Sequence, residues 1–185
     1  MNLTELLKPA AALLAVTVIA AILLGYVHRI TKEPIAAQRE RIEAEAIGAI
    51  FNTAIDKSDE VDVPEDSPVK RAIRVYSGNK LLGCAVFTSP TGYSGPVDIV
   101  VGIGMDGVVR GVRILRHAET PGLGANADNP AFTDQYKGKG GTLSVTKATP
   151  GNNEIQAITS ATITSNAVTR GVNDALSFFY KSVER

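Results

Sequence analysis

From Pro9 to Val27 the chain carries no charged residue, and within that stretch Ala10 through Leu24 is apolar except for Thr17. At about 1.5 Å per residue, such a helix spans close to the roughly 30 Å of bilayer hydrocarbon. Lys8 precedes the run, and Tyr26, His28, Arg29 and Lys32 follow it at interfacial positions. It ends in Leu24-Gly25-Tyr26-Val27-His28, without a small-x-small cleavage site, so a retained transmembrane helix over residues 9–28 is expected rather than a cleaved signal peptide. Beyond it, Ile35, Ile42, Ala46, Ala49 and Ile50 recur at helical spacing among Arg39, Glu40, Arg41, Glu43 and Glu45. This predicts a second helix from near Pro34 to about Phe51, a stalk within residues 29–55.

The pattern then changes. Residues 56–68 are rich in Asp, Glu, Ser and Pro without apolar periodicity and are expected to form an exposed loop. Strand-like runs follow over Ala72 to Tyr76 and Leu81 to Phe87, joined by the turn signal Ser77-Gly78-Asn79. In the stretch from Val97 to Leu115, Gly102, Gly104 and Gly107 fall in the spacing GxGxxG, which as a bare pattern signals dinucleotide binding. That motif needs a helix opening at its last glycine, whereas Val108-Val109 and Val112-Arg113-Ile114-Leu115 are β-branched and strand-like around an Asp106-Gly107 turn. A β-hairpin is expected here. At the C-terminal end Val168, Val172, Ala175, Leu176 and Phe179 share one helical face.

The expected fold is therefore α+β. A short segment (1–8), the single N-terminal transmembrane helix (9–28) and the stalk with its linker (29–55) precede one domain over residues 56–185. That domain holds a mainly antiparallel sheet with helices packed on it.

Charge and cysteine content remove several classes of function. Nineteen Lys and Arg balance nineteen Asp and Glu with no basic tract, so nucleic acid is excluded as an expected partner. The one cysteine, Cys84, leaves no disulfide framework and no Cys-rich metal site; in its strand-like run it is expected to be a buried small hydrophobe. No metal site is predicted. Orientation in the membrane is not settled by charge. Lys8 lies on one side of the apolar run against Arg29, Lys32, Arg39 and Arg41 on the other, which taken literally places the domain in the cytoplasm. The rule applies poorly to a long domain.

Two constellations carry chemistry. His117-Ala118-Glu119-Thr120-Pro121-Gly122-Leu123-Gly124 leaves the last strand on a tight path where backbone amides can approach a ligand, although a simple solvated turn has the same composition. Thr159-Ser160-Ala161-Thr162-Ile163-Thr164-Ser165 precedes the C-terminal helix. Thr164 or Ser165 is the expected N-cap, yet the cluster exceeds what capping requires. A helix N-terminus offers free amides and a favourable dipole to a phosphate, which points to an anion site beside Thr162.

Both constellations, with Gly92-Tyr93-Ser94-Gly95-Pro96, resemble the FMN-binding domain shared by the G subunit of Rnf complexes and the C subunit of sodium-pumping NADH:quinone oxidoreductases. The similarity runs through nearly the whole chain. It implies FMN attached by a flavin transferase, through a phosphoester bond, to the threonine closing a Ser/Thr-Gly-Ala-Thr motif. Thr159-Ser160-Ala161-Thr162 matches that motif with Ser160 in the glycine's place, and Thr162 is the implied acceptor. The resemblance further implies that Tyr93 and the stretch from His117 to Gly124 lie beside the flavin, with Glu119, Thr120, Gly122, Leu123 and Gly124 among the contacts. It implies an extracytoplasmic flavin domain, other membrane subunits as partners, and electron carriage without acid–base catalysis, in a sodium- or proton-translocating ferredoxin:NAD oxidoreductase. The quinone-reductase counterpart and a membrane-anchored FMN-binding regulatory module are the alternatives.

Overall fold

The computed structural model describes residues 3–53 and 57–182. Residues 54–56, where the stalk is expected to pass into the domain, and the first two residues of the N-terminal segment lie outside them. The chain divides into two compact units, Met1–Arg41 and Ile42–Arg185.

The first unit belongs to a single helix, α1, which runs over Leu3–Phe51. The expected transmembrane and stalk helices are thus one element, and Pro34 lies inside it rather than near a start. Its missing amide leaves the carbonyl four residues back without a helical donor. α1 is long and apolar enough to cross a membrane, and the side chains of its apolar run face outward, with Leu13, Leu14 and Leu24 66%, 65% and 71% exposed. Thr17, the polar residue inside the run, donates its hydroxyl to the carbonyls of Leu13 and Leu14. No hydrogen-bonding demand from that side chain is left for the hydrocarbon to meet.

The second unit is built on a five-stranded antiparallel meander: β1 (Lys57–Val61), β2 (Val69–Ser77), β3 (Lys80–Thr88), β4 (Asp98–Gly104) and β5 (Val109–Arg116), in that spatial order. β1 corrects the expectation of an exposed loop over 56–68. Its sequence Lys-Ser-Asp-Glu-Val is too polar to show apolar periodicity, but that is what an edge strand tolerates, and Val61 still packs against the core. The β2–β3 hairpin turns at Gly78 (φ +57°), and β4–β5 is the hairpin expected from the glycine pattern. Gly107 takes φ +73° in its turn, and its amide donates to the carbonyl of Gly104.

After the meander come a short 3-10 turn (Gly124–Asp128), the four-residue α2 (Pro130–Thr133), a small parallel pair β6 (Ser144–Thr146) and β7 (Glu154–Gln156), and the long C-terminal α3 (Thr162–Ser182). α3 lays Val168, Val172, Ala175, Leu176 and Phe179 on Cys84, Val86, Ile99, Val101 and Val112 of the sheet. The opposite sheet face, with Ile73, Val75, Ala85, Phe87 and Val100, is covered by Ile47 and Ile50 from the last turns of α1. Burial on both faces explains why β3 and β4 read as almost unbroken apolar runs rather than alternating ones. Gly102 and Gly111 are paired across β4 and β5 and make the hollow that receives Ile50; a Cβ on Gly102 would sit 2.2 Å from Ile50 Cγ2. α1 ends on Asn52 in the left-handed region (φ +56°), with the Thr53 amide reaching back to the Gly48 carbonyl, the bond pattern that closes many helices.

Candidate functional site

Three segments far apart in sequence meet at the N-terminus of α3. The 92–95 turn is closed by the Gly92 amide donating to the Gly95 carbonyl at 2.7 Å, and it is tied to α3 by Arg170, which donates to the Thr91 carbonyl at 3.0 Å. The 117–124 loop is braced by His117. Its Nδ1 accepts the Glu119 amide at 3.1 Å, and its Nε2 lies 3.0 Å from Asp128 Oδ2. An Nδ1 that accepts leaves the proton on Nε2, whose N–H donates to the Asp128 carboxylate. Farther along the loop, the Thr120 carbonyl accepts from the amides of Leu123 and Ala125, and Gly122 takes φ +77°.

Glu119 joins the three segments. It is 5% exposed; its Oε1 accepts the Ser94 amide at 2.9 Å and its Oε2 accepts the Thr164 hydroxyl at 2.5 Å. Two glycines make room for this carboxylate. A Cβ on Gly92 would lie 2.6 Å from Oε1, and one on Gly124 would lie 2.3 Å from Oε2 and 2.7 Å from the Thr164 hydroxyl. Burial alone raises the carboxyl's pKa. The Thr164 hydroxyl, the Ser94 and Tyr93 amides and the neighbouring His117 outweigh it, so the pKa lies below the ordinary value and the group is ionised at neutral pH.

The start of α3 departs from expectation in a way that matters. Neither Thr164 nor Ser165 caps it, because the helix begins at Thr162 and the cap position is Ala161, whose carbonyl accepts the Ser165 amide at 3.0 Å. Thr164 spends its hydroxyl on Glu119. The Ser165 hydroxyl donates to the Ala161 carbonyl and accepts the Ile158 amide. Ala161 has no side-chain oxygen to offer, so the amides of Thr162, Ile163 and Thr164 have no protein acceptor among the described residues. Ser160, just before, is held at φ +62°.

These groups border a cleft of about 550 Å³ lined by Tyr93, Glu119, Thr120, Leu123, Gly124, Ser160, Ala161, Thr162, Ile163 and Thr164. Thr159 and Gly122 instead line a neighbouring cleft of about 580 Å³ that shares Leu123 and Ser160 with the first, and His117 lines neither. Ile163 and Thr164 are the lining residues that sequence reasoning left out of the site. The helical register that turns them toward the cleft depends on a start at Thr162, which the run of Ser and Thr concealed.

The residues fit FMN. A cleft of this size is ordinary for a cofactor, and Tyr93, Leu123 and Ile163 are exposed large apolar side chains on its walls. An uncapped helix N-terminus suits a phosphate, and the half-buried Thr162 hydroxyl stands at that terminus. Among the described residues no cluster of His, Cys, Asp and Glu fits a metal ion.

Comparison with known proteins agrees. The family model of an FMN-binding domain matches residues 92–177. The chain is similar to the G subunit of the proton-translocating ferredoxin:NAD(+) oxidoreductase complex of Clostridium ljungdahlii, at 38% identity over 85% of this chain and 83% of that one. It is 46% identical to the G subunit of the Na(+)-translocating ferredoxin:NAD(+) oxidoreductase complex of Acetobacterium woodii, over 58% of this chain and 55% of that one. Against the G subunit of the ion-translocating oxidoreductase complex of Aliivibrio fischeri, identity is 30% over 97% and 92%. The crystal structure of the C subunit of the Na(+)-translocating NADH-quinone reductase from Parabacteroides distasonis superposes with a TM-score of 0.56 at 21% identity, covering 69% of this chain and 77% of that one, a likeness of fold. On the identity and coverage of these relatives, and on the domain matched in its C-terminal half, the chain belongs to the family of ion-translocating oxidoreductase complex G subunits.

Proposed function

We propose that this protein is the electron-carrier subunit of a membrane-bound, ion-translocating ferredoxin:NAD oxidoreductase, bearing FMN covalently through a phosphoester to Thr162. The observation that carries the reading is the pairing, in one cleft, of the Thr162 hydroxyl with a helix N-terminus that no side chain caps. Bound FMN supplies electron transfer in one- and two-electron steps. The chain's own residues hold and place it. Thr162 would carry the bond, the free amides at the start of α3 would face the phosphate, and Tyr93, Leu123 and Ile163 would flank the apolar ring system. Nothing in this reading asks the protein to act as an acid or base on a substrate.

The apolar span of α1 is the anchor to the bilayer, the flavin domain lies outside the cytoplasm, and the other membrane subunits of the complex are its electron-transfer partners. A flavin transferase installs the FMN. Relatives named as G subunits of such complexes support this over the quinone-reductase alternative, to which the likeness is one of fold.

The test is intact-protein mass after denaturation, on full-length chain made together with an active flavin transferase. Wild type is expected to gain the mass of FMN less water, and Thr162→Ala to gain none. An unmodified wild-type chain, with the transferase shown to be active on another acceptor, refutes the covalent reading.

A further inference from the structure

The ionised carboxylate of Glu119 has no Lys or Arg partner among the described residues, and it is buried in the wall of the cleft that holds Thr162. What steadies it is chiefly neutral, the Thr164 hydroxyl on one oxygen and the Ser94 amide on the other, with the neighbouring His117 adding a smaller electrostatic contribution. Such donors keep a carboxylate charged, but they do not cancel its field as a cation would, and with the side chain itself buried that field is less screened than in open water. Glycines at 92 and 124 hold space open for this group, so the charge is built in rather than left over from folding.

We propose that Glu119 is a redox-tuning residue, a fixed negative charge that keeps the midpoint potential of the flavin in this cleft low. The inference rests on the covalent-FMN reading above. Reduction of the attached FMN adds two electrons and one proton, so the flavin gains one negative charge. A buried anion beside it opposes that gain and favours the oxidised form. A low potential makes the reduced carrier a stronger donor. Glu119 acts through its field, as a positioning and tuning group rather than a catalytic one.

The experiment uses full-length protein flavinylated in cells, with FMN loading verified by intact mass for every variant. Midpoint potentials are read by titrating with dithionite in the presence of redox dyes, at a single pH well above the carboxylate range. Dithionite is oxidised, the flavin takes its two electrons, and the proton comes from water. Glu119→Gln keeps the shape, with its amide oxygen accepting from Ser94 and its NH2 donating to the turned Thr164 hydroxyl, but removes the charge, and its potential is expected to move upward. Thr164→Val keeps the charge but removes the hydroxyl that spreads it, and its potential is expected to move downward. Opposite signs are what a charge effect requires, whereas loosening of the site moves both variants the same way. Unchanged potentials, or shifts of one sign, overturn the proposal. If Glu119→Gln does not accumulate as folded protein, the Thr164→Val result decides alone, and anything but a downward shift counts against it. Wild type without added mass is a different outcome: it removes the covalent-FMN reading itself, and this inference with it.

Discussion

Ser160 holds φ at +62° two residues before the proposed attachment point. An L-residue there is crowded by its own Cβ, at about 1–2 kcal/mol, and glycine relieves this at the expense of about 0.4–1 kcal/mol of extra freedom in the unfolded chain. Ser160→Gly is therefore expected to raise unfolding free energy by roughly 0.5 kcal/mol, measured by urea denaturation. The motif this segment resembles carries glycine at that position, and the backbone gives the reason. A second prediction concerns Glu119. Its carboxyl titrates below the ordinary value of 4.5, so its stabilising contribution is complete above that pH and fades as the pH falls through the lower, folded-state value. Glu119→Gln is expected to cost about 1–2 kcal/mol at neutral pH and to flatten the loss of stability on acidification, readable as Tm against pH. Parallel pH curves for the two proteins would show that Glu119 contributes nothing to acid unfolding. Tyr93, Thr120, Leu123, Gly124 and Thr162 line one cleft, a grouping that the family resemblance implied and that periodicity and composition alone did not give. The inward role of Glu119 was not legible, because its donors come from Ser94 and Thr164, which no local pattern connects to it.

Among elements, the β4–β5 hairpin shows why a glycine pattern must be weighed against its surroundings. Gly102 is needed for the approach of Ile50, and Gly107 for a positive φ, so both serve packing and turning. Gly102→Ala is expected to push the last turns of α1 away from the sheet and to destabilise the domain by about 1–3 kcal/mol, measured by thermal or chemical unfolding. A cost below about 0.5 kcal/mol would mean that Ile50 yields easily. Both hairpins and the apolar face of α3 were readable, since period and turn residues are local signals. The edge strand β1 was hidden by its polarity, and the continuity of α1 by two prolines that a long helix tolerates. The true start of α3 was hidden for a different reason. Every one of the five Ser and Thr residues in that stretch has the chemistry of a cap, and tertiary contacts decide which of them stay free.

At the scale of the whole molecule, one buried residue makes the side of the membrane that holds the flavin domain measurable. Cys84 is fully enclosed in the core, and burial pushes its thiol up to about 11, with Arg74 opposing only in part. The native protein is expected to be silent toward thiol reagents near neutral pH until it is denatured. Ser177→Cys, on the solvent side of α3, then becomes a clean reporter. Labelling of this variant by a membrane-impermeant maleimide in cells with an intact cytoplasmic membrane is the expected result for an extracytoplasmic domain. Labelling only after that membrane is permeabilised would place the domain in the cytoplasm.

The bare start of α3 bears on the life of the protein before its cofactor arrives. A helix end with Ala161 where an oxygen-bearing cap would normally stand gives up about 1 kcal/mol, and on the proposed attachment a phosphate at Thr162 would return a partner to those amides. The newly made chain is then the softer form and the finished carrier the firmer one. A protease that samples transient openings is then expected to cut the former first, a difference that limited proteolysis of the chain with and without its flavin would read.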